Sequence, residues 1–280
     1  MSREENVAIF ENTRILCKTN KSLIEAVMDS TQKQELILED DLFPVSTEKR
    51  YKDKAQIIVS TKRSFEAAAG YKGQMTCVHN FASSITPGGG VLKGSSAQEE
   101  CLCRISSLYF CLDTKTMWDG FYKPHRNELD NVHNDDLIFT PNVVVFKTDT
   151  TSPKLMEEED WYKVDVITLA APMLRYEIGL GHNGSARQTR RVTDEELLAI
   201  HEKRMRRFLA VAKEKGEEVL ILGAFGCGAF MNSPQVVAQA MKNILPDYLY
   251  DFKTIEFAVY CLPNDETNYK VFESMLSGLA

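Results

Sequence analysis

No stretch of this sequence approaches the roughly 20 consecutive apolar residues that a membrane-spanning helix requires. The longest apolar runs, 164–173 and 219–225, are of strand length, and the opening MSREENVAIFENT has no apolar core behind basic residues, so neither an anchor nor a secretory leader is expected. Basic charge is short as well. Lys and Arg number 33 against 40 Asp and Glu, a formal net charge of -7, which argues against direct binding to duplex nucleic acid, where affinity comes from cations neutralising phosphates. A local anion site stays open. The cysteines lack organisation: seven is an odd number and no framework spacing joins them, so they read as reduced thiols of a cytoplasmic protein in which the Asn183-Gly184-Ser185 sequon is accidental. Cys101 and Cys103 stand two apart on an expected helix and face different ways. No other Cys or His pair has a zinc spacing, and no acidic cluster suited to Mg²⁺ stands out, so neither a metal nor a cofactor is expected.

What is present is an ordinary apolar share, 44% of 280 residues, enough to bury the core of one large domain. Up to about Asp41 the sequence is polar with helical apolar spacing at Leu23, Val27, Leu36 and Leu38, which predicts a helical N-terminal extension, residues 1–50, ahead of a larger domain, 51–280. Beyond it, strands are expected at 56–60, 75–80, 137–139, 143–146, 164–170, 219–222 and 255–260. Helices are expected at 64–70, 98–112, 194–215, 233–244 and 266–275, and a long polar loop at 174–192. Strands alternating with helices argue for an α/β fold, a mixed sheet covered on both faces. Ser96 to Glu99 and Thr193 to Glu196 fit capping boxes, and Ser233-Pro234 places an N-cap before a proline at the first helical position.

The densest signal runs from Asn80 to Glu100. A strand delivers a polar residue, Pro87 precedes Gly88, Gly89 and Gly90, and a helix opens with Gln98, Glu99 and Glu100. Consecutive glycines let backbone N–H groups approach a bulky anion where any side chain would collide. The spacing is neither a Walker loop nor a dinucleotide fingerprint. A second glycine turn, Gly223 to Phe230, follows the apolar run 219–222 and contains Phe225, Gly226, Cys227 and Gly228. Two glycine-rich turns after strands would converge on one edge of an α/β sheet, where ligands bind, with a diphosphate between them and phenylalanine faces for a base or ribose. Beside this site Glu99 serves either the capping box or a ligand. Glu100 is either a first-turn glutamate favoured by the helix dipole or a proton donor with a raised pKa.

These residues carry a resemblance. Gly88-Gly89-Gly90 followed by Gln98-Glu99-Glu100 resembles the signature of poly(ADP-ribose) glycohydrolases, which are macrodomains. Asn80-Phe81-Ala82-Ser83, Cys103-Arg104, Leu108-Tyr109 and the Gly223–Phe230 turn are similar to the microbial-type branch. The resemblance implies a macrodomain-like three-layer α/β/α sandwich around a mixed β-sheet, with 51–280 as the catalytic domain. It implies ADP-ribose and poly(ADP-ribose) on modified proteins as partners, and metal-free hydrolysis of ribose-ribose bonds. Glu100 would be the general acid and then the base, Glu99 would hold ribose hydroxyls, and Gln98 would support them. Asn80 would contact the ribose at the scissile bond, Gly88–Gly90 and Gly226-Cys227-Gly228 would wrap the diphosphate, and Phe230 would pack on ribose. Rival readings are a non-hydrolysing ADP-ribose reader, a mono-ADP-ribosyl hydrolase, and an unrelated Mg²⁺-dependent nucleotide hydrolase; the intact Gln-Glu-Glu speaks against the reader.

Other candidates have plainer explanations. Arg187, Arg190 and Arg191 lie in the polar loop and read as solvated surface or as a clamp for a polyanion. Lys203, Arg204, Arg206 and Arg207 read mostly as the wet face of a helix, His201 as a structural histidine on it, and His79 as pointing away from Asn80. His125, His133 and His182 show no partner spacing.

Overall fold

Burial alternates along the strands so that successive side chains enter two different cores, which fixes a sheet covered on both faces. In the computed structural model, which describes residues 1–41, 48–127, 130–175, 178–180, 186–188, 190–262 and 264–279, the strands are β1 (Glu35–Ile37), β2 (Gln56–Ser60), β3 (Thr76–Ala82), β4 (Leu137–Val145), β5 (Tyr162–Ala170), β6 (Ile178–Leu180), β7 (Ala186–Gln188), β8 (Val219–Leu222) and β9 (Thr254–Ala258). Seven of them form one sheet in the order β1-β4-β5-β3-β8-β9-β2. From β5 to β2 the neighbours run parallel, and β4 and β1 add antiparallel.

One face, carrying Cys77, Ile167, Leu220 and Phe257, packs on α8 (Asp194–Glu214), α9 (Pro234–Ile244) and α10 (Thr267–Leu276). The other, carrying Val78, Val166 and Ile221, packs on α1 (Arg3–Thr19), α3 (Ser64–Ala68), α4 (Gln98–Ile105) and α5 (Leu108–Leu112). The result is the expected three-layer mixed sandwich. Helix α2 (Lys21–Lys33) covers β4, and α6 (Lys115–Met117) and α7 (Lys123–Asn127) flank a π-helical turn at Trp118–Tyr122.

The N-terminal helices are bound to the layer that carries the acids. Ser2 and Glu5 close a capping box on α1; Phe10 and Leu23 are fully buried. Asn6 donates to the Gly94 carbonyl at 2.9 Å, and Thr13 to the Arg104 carbonyl at 2.5 Å. Leu36 does not continue a helix: β1 pairs with the open edge of β4, where backbone hydrogen bonds outweigh local helical spacing.

Three further expectations are corrected. The helix over 98–112 is two helices, because Ser106 and Ser107 turn to the sheet: Ser107 N–H donates to the Val144 carbonyl at 3.0 Å and its Oγ accepts from Val144 N–H at 3.0 Å. Residues 137–145 form one strand interrupted by a bulge, with Pro141 supplying no N–H and Asn142 at φ 57 donating to Asp165 at 2.8 Å. Arg204 leaves the wet face of α8. It is 1% exposed, donates to Asp135 at 2.8 Å and to the Ala170 carbonyl at 2.8 Å, and so ties α8 to the end of β5. In the polar loop β6 and β7 pair as a hairpin; His182, the 183–185 sequon and the Arg187 side chain lie outside the described residues.

A buried ion pair cut on one side leaves an unpaired charge, so Arg204→Ala is expected to lose about 3–5 kcal/mol of unfolding free energy in urea titrations. Arg206→Ala, which removes an exposed pair with Asp247, should lose under about 1 kcal/mol. Equal losses would contradict this reading of the helix.

Candidate active site

Beyond Val78, β3 parts from β8, since their pairing ends at Val78–Ile221. Gln98, the first residue of α4, fills the gap: its Oε1 accepts Phe81 N–H at 2.9 Å while its Nε2 donates to the His79 carbonyl at 2.7 Å and Ser64 Oγ at 3.0 Å. The side chain thereby replaces a neighbouring strand and fixes α4 over the end of β3. Glu99 and Glu100 follow, 3% and 8% exposed. Glu99 Oε2 accepts Ser83 N–H at 2.7 Å, and its Oε1 receives the Asn80 amide at 3.4 Å. Asn80 also donates to Thr168 Oγ1 at 3.2 Å, its register partner on β5. Glu100 Oε1 accepts Gly90 N–H at 2.9 Å.

Those contacts displace the capping box expected at Ser96. Ala97 takes the N-cap position without a side-chain bond, and the Glu99 carboxylate is drawn to Ser83 instead of reaching back. At Thr193 half of the box forms: the hydroxyl accepts Glu196 N–H, but Glu196 pairs with Arg190 at 2.5 Å.

Gly89 shows why the triplet cannot carry side chains. Its φ is +54, and a Cβ there would stand 2.7 Å from Glu100 Oε1 and 3.1 Å from Glu99 Oε2. The carboxyl pair and the glycine loop occupy each other's space. Burial pushes the Glu99 carboxyl up to about 8, with the Glu100 charge adding to the rise and the Ser83 N–H opposing it.

The second glycine turn leaves β8 and is anchored from behind. Asn232 donates to the Pro172 carbonyl at 2.7 Å and to the Gly226 carbonyl at 3.2 Å, and its Oδ1 accepts from His201 Nε2 at 2.8 Å. Gly226 has φ +77, and a Cβ would come 2.7 Å from that of Ala171. His201 is held neutral by burial, its pKa pushed down to about 4. Both turns line one cavity of about 1000 Å³ that also receives Glu99, Glu100, Gly89, Gly226, Gly228 and Phe230.

The description "Microbial-type PARG, catalytic domain" matches residues 3–148. The chain belongs to the microbial-type PARG family. Membership makes it an enzyme, a poly(ADP-ribose) glycohydrolase of the glycosidase type. Among solved structures, poly(ADP-ribose) glycohydrolase from Thermomonospora curvata is similar with 27% identity and a TM-score of 0.82, over 97% of this chain and 99% of that one. The same enzyme bound to the inhibitor ADP-HPD gives 29% and 0.80 over 97% and 99%. The Deinococcus radiodurans enzyme in complex with ADP-ribose gives 27% and 0.70, over 89% of this chain and 96% of that one. A search of curated proteins gave no match.

Within the PARG cavity the sequence-derived residues divide. Gly89, Gln98, Glu99, Glu100, Phe225, Gly226, Gly228 and Phe230 reach its wall, whereas Asn80, Gly88, Gly90 and Cys227 do not line it. Asn80 is fully buried and touches Glu99. Gly88 packs against Tyr109 and Cys103, which a Cβ would meet at 2.8 and 3.3 Å. Phe225 is 2% exposed, its ring enclosed by His79, Phe81 and His201, so little of it is offered to a ligand. Sequence reading missed Tyr260, Arg63 and Arg175, which also line the cavity; each lies just after a strand of the sheet, a position that the rule of ligands at strand ends could have flagged.

A carboxyl raised from 4.5 to about 8 keeps its proton in the folded chain while the unfolded chain has lost it. Its contribution to stability is therefore full below pH 4.5 and falls as pH rises through 8. Between pH 5 and pH 8, thermal or urea unfolding of the wild type should lose roughly 2–4 kcal/mol more than that of Glu99→Gln. Glu217, pushed up by burial to about 10, acts alike in both proteins, so parallel pH profiles would show Glu99 to be ionised at neutrality.

Proposed function

We propose that the chain releases ADP-ribose from poly(ADP-ribose) on modified proteins by cleaving the ribose-ribose O-glycosidic bond without a metal, with Glu100 as general acid and base. The observation that carries this reading is the buried Glu99–Glu100 pair set against Gly89 in the cavity wall. Burial raises the Glu99 carboxyl to about 8, so the neighbour of the proposed acid keeps its own proton at neutral pH and sets no negative charge beside it.

In the reaction, Glu100 gives its proton to the departing 2′ oxygen as the C1″–O bond breaks with both electrons going to that oxygen. The sugar passes through an oxocarbenium-like state, water adds to C1″, and the water's proton returns to Glu100. Glu99, held by Ser83 N–H and Asn80, faces the ribose hydroxyls, and Gln98 keeps α4 in place. Gly88–Gly90 and Gly226–Gly228 hold the diphosphate, and Asn80, beside Glu99, serves the ribose at the scissile bond. Phe230 packs on the ribose, and Phe225 contributes through the turn it supports.

Residues 1–50 are proposed as an extension that braces α4, and 51–280 as the catalytic domain. Among the described residues no helix is long and apolar enough to cross a membrane. The seven cysteines are unpaired, which supports a cytoplasmic location.

Purified protein in EDTA, given automodified polymerase carrying the polymer, is expected to release ADP-ribose. Glu100→Ala and Glu100→Gln should lower kcat by about 10²-fold or more while ADP-ribose binding, followed by calorimetry, persists. Binding without release by the wild type would sink the hydrolase and favour a reader. Full activity in the variants would remove Glu100 from the chemistry.

A further inference from the structure

One polar pair interrupts the apolar face of the sheet beneath α4. On that face β3 carries Val78, Asn80 and Ala82, and β5 carries Val164, Val166, Thr168 and Ala170. The rows are in register, Val78 with Val166, Asn80 with Thr168 and Ala82 with Ala170. On its other side Thr168 meets Ile138 of β4. A hydroxyl in such a row costs free energy unless it is hydrogen-bonded, and valine, which has the same shape, stands two residues before it. Thr168 and Asn80 are both fully buried, and the hydroxyl is bonded to the Asn80 amide.

That amide is held between two acceptors. Its Nδ2 donates to Thr168 Oγ1 at 3.2 Å and to Glu99 Oε1 at 3.4 Å, while its Oδ1 is buried with no hydrogen-bond partner among the described residues. An orphaned acceptor at that depth is a cost to the fold, and the orientation that incurs it is the one that aims an N–H at Glu99. Ser83 N–H already occupies Glu99 Oε2, so Asn80 meets the oxygen that remains. Thr168 is not in the cavity wall. Whatever it does for the reaction passes through Asn80.

Resting on the hydrolase reading above, we propose that Thr168 is a positioning residue: its hydroxyl anchors the Asn80 amide, and the anchored amide sets the place of the Glu99 carboxyl beside Glu100. Burial raises that carboxyl to about 8, and the N–H from Asn80 is among the groups that oppose the rise. Glu99 is faced by Glu100 and Cys103 on its own helix and by Tyr122 from the π-helical turn; burial holds the Cys103 thiol and the Tyr122 hydroxyl well above their ordinary values. When Glu99 ionises, a second negative charge stands beside Glu100 and an anionic ligand, so kcat/KM falls at alkaline pH. Loosening Asn80 favours the protonated carboxyl and moves that fall to higher pH.

Thr168→Val keeps the shape and removes the hydroxyl, whereas Thr168→Ser keeps the hydroxyl and removes a methyl. On polymer carried by automodified polymerase, Thr168→Val should lower kcat by about 5- to 20-fold, while ADP-ribose affinity, read by calorimetry, changes far less. Its alkaline fall in kcat/KM should lie at a pH about 0.5 to 1 higher. Thr168→Ser should recover most of kcat and the wild-type profile although the lost methyl lowers its melting temperature. In a Glu99→Gln background, Thr168→Val should leave the pH profile where it is. Should Thr168→Val not fold, Thr168→Ala takes its place, since it differs from Thr168→Ser by the hydroxyl alone, and the same ratio of kcat is expected between them. Wild-type kcat in Thr168→Val, or an equal loss in Thr168→Ser, would assign Thr168 to packing. A loss of kcat with the profile unmoved would detach it from Glu99. Each of these overturns the inference and leaves the hydrolase reading standing, whereas a wild type that releases no ADP-ribose overturns both.

Discussion

The close fit between a glycine loop and two carboxylates is the constraint on which the rest of this structure depends. Gly89 leaves room for nothing larger than hydrogen between its backbone and the Glu99 and Glu100 oxygens, so the first glycine loop and the helix that carries the two carboxyls are one assembly. Position is set from three sides. Gln98 fastens the first turn of α4 to β3, and Gly90 N–H holds Glu100. Behind α4, Asn6 and Thr13 of α1 bind the carbonyls of Gly94 and Arg104. A shift of α1 is thus transmitted to the carboxylates through one layer of side chains, which gives the N-terminal helices a part in the geometry of the site although most of their residues are remote from it.

The parting of β3 from β8 is the second device. Parallel neighbours ordinarily satisfy each other's backbone, and separating them leaves buried N–H and C=O groups that cost energy unless paired. One glutamine amide, with a donor and an acceptor at the right separation, meets both needs at Phe81 and His79. The crevice that results is where the two glycine turns can face each other. Asn232 plays the matching role on the far side, joining the Gly226 turn to Pro172 and through His201 to α8.

Much of this was legible in the sequence wherever a signal is local. The runs 56–60 and 219–222 are strands with the bounds their composition implies, and the compound of three glycines with Gln-Glu-Glu marks the site because each residue acts within about twenty positions of the others. Signals that depend on the third dimension were not legible. Leu36 has helical spacing but meets the edge of β4; Ser106 and Ser107 sit in a helical pattern but bind the sheet; Arg204 belongs by charge to a wet face but finds Asp135 some seventy residues away. Phe225 looked like a surface for a base or ribose because it sits in a glycine-rich turn, whereas the structure carries its ring into the core beside His79. Arg175 lines the cavity without belonging to any motif.

Electrostatics supplies the last step. An anionic ligand must approach two neighbouring carboxylates in a protein that is already negative, and two like charges about 4 Å apart repel by about 4 kcal/mol at an effective dielectric near 20. Burial of Glu99 eases that obstacle by raising its carboxyl to about 8, so that it keeps its proton near neutrality. In the proposed reaction, once Glu100 has given its proton to the departing oxygen, the carboxylate left behind stands beside a sugar that has become positive, so attraction arises at the moment of bond cleavage. In that proposed reaction the arrangement favours the transition state over the bound ground state, with Glu99 and Glu100 buried against the glycine loop.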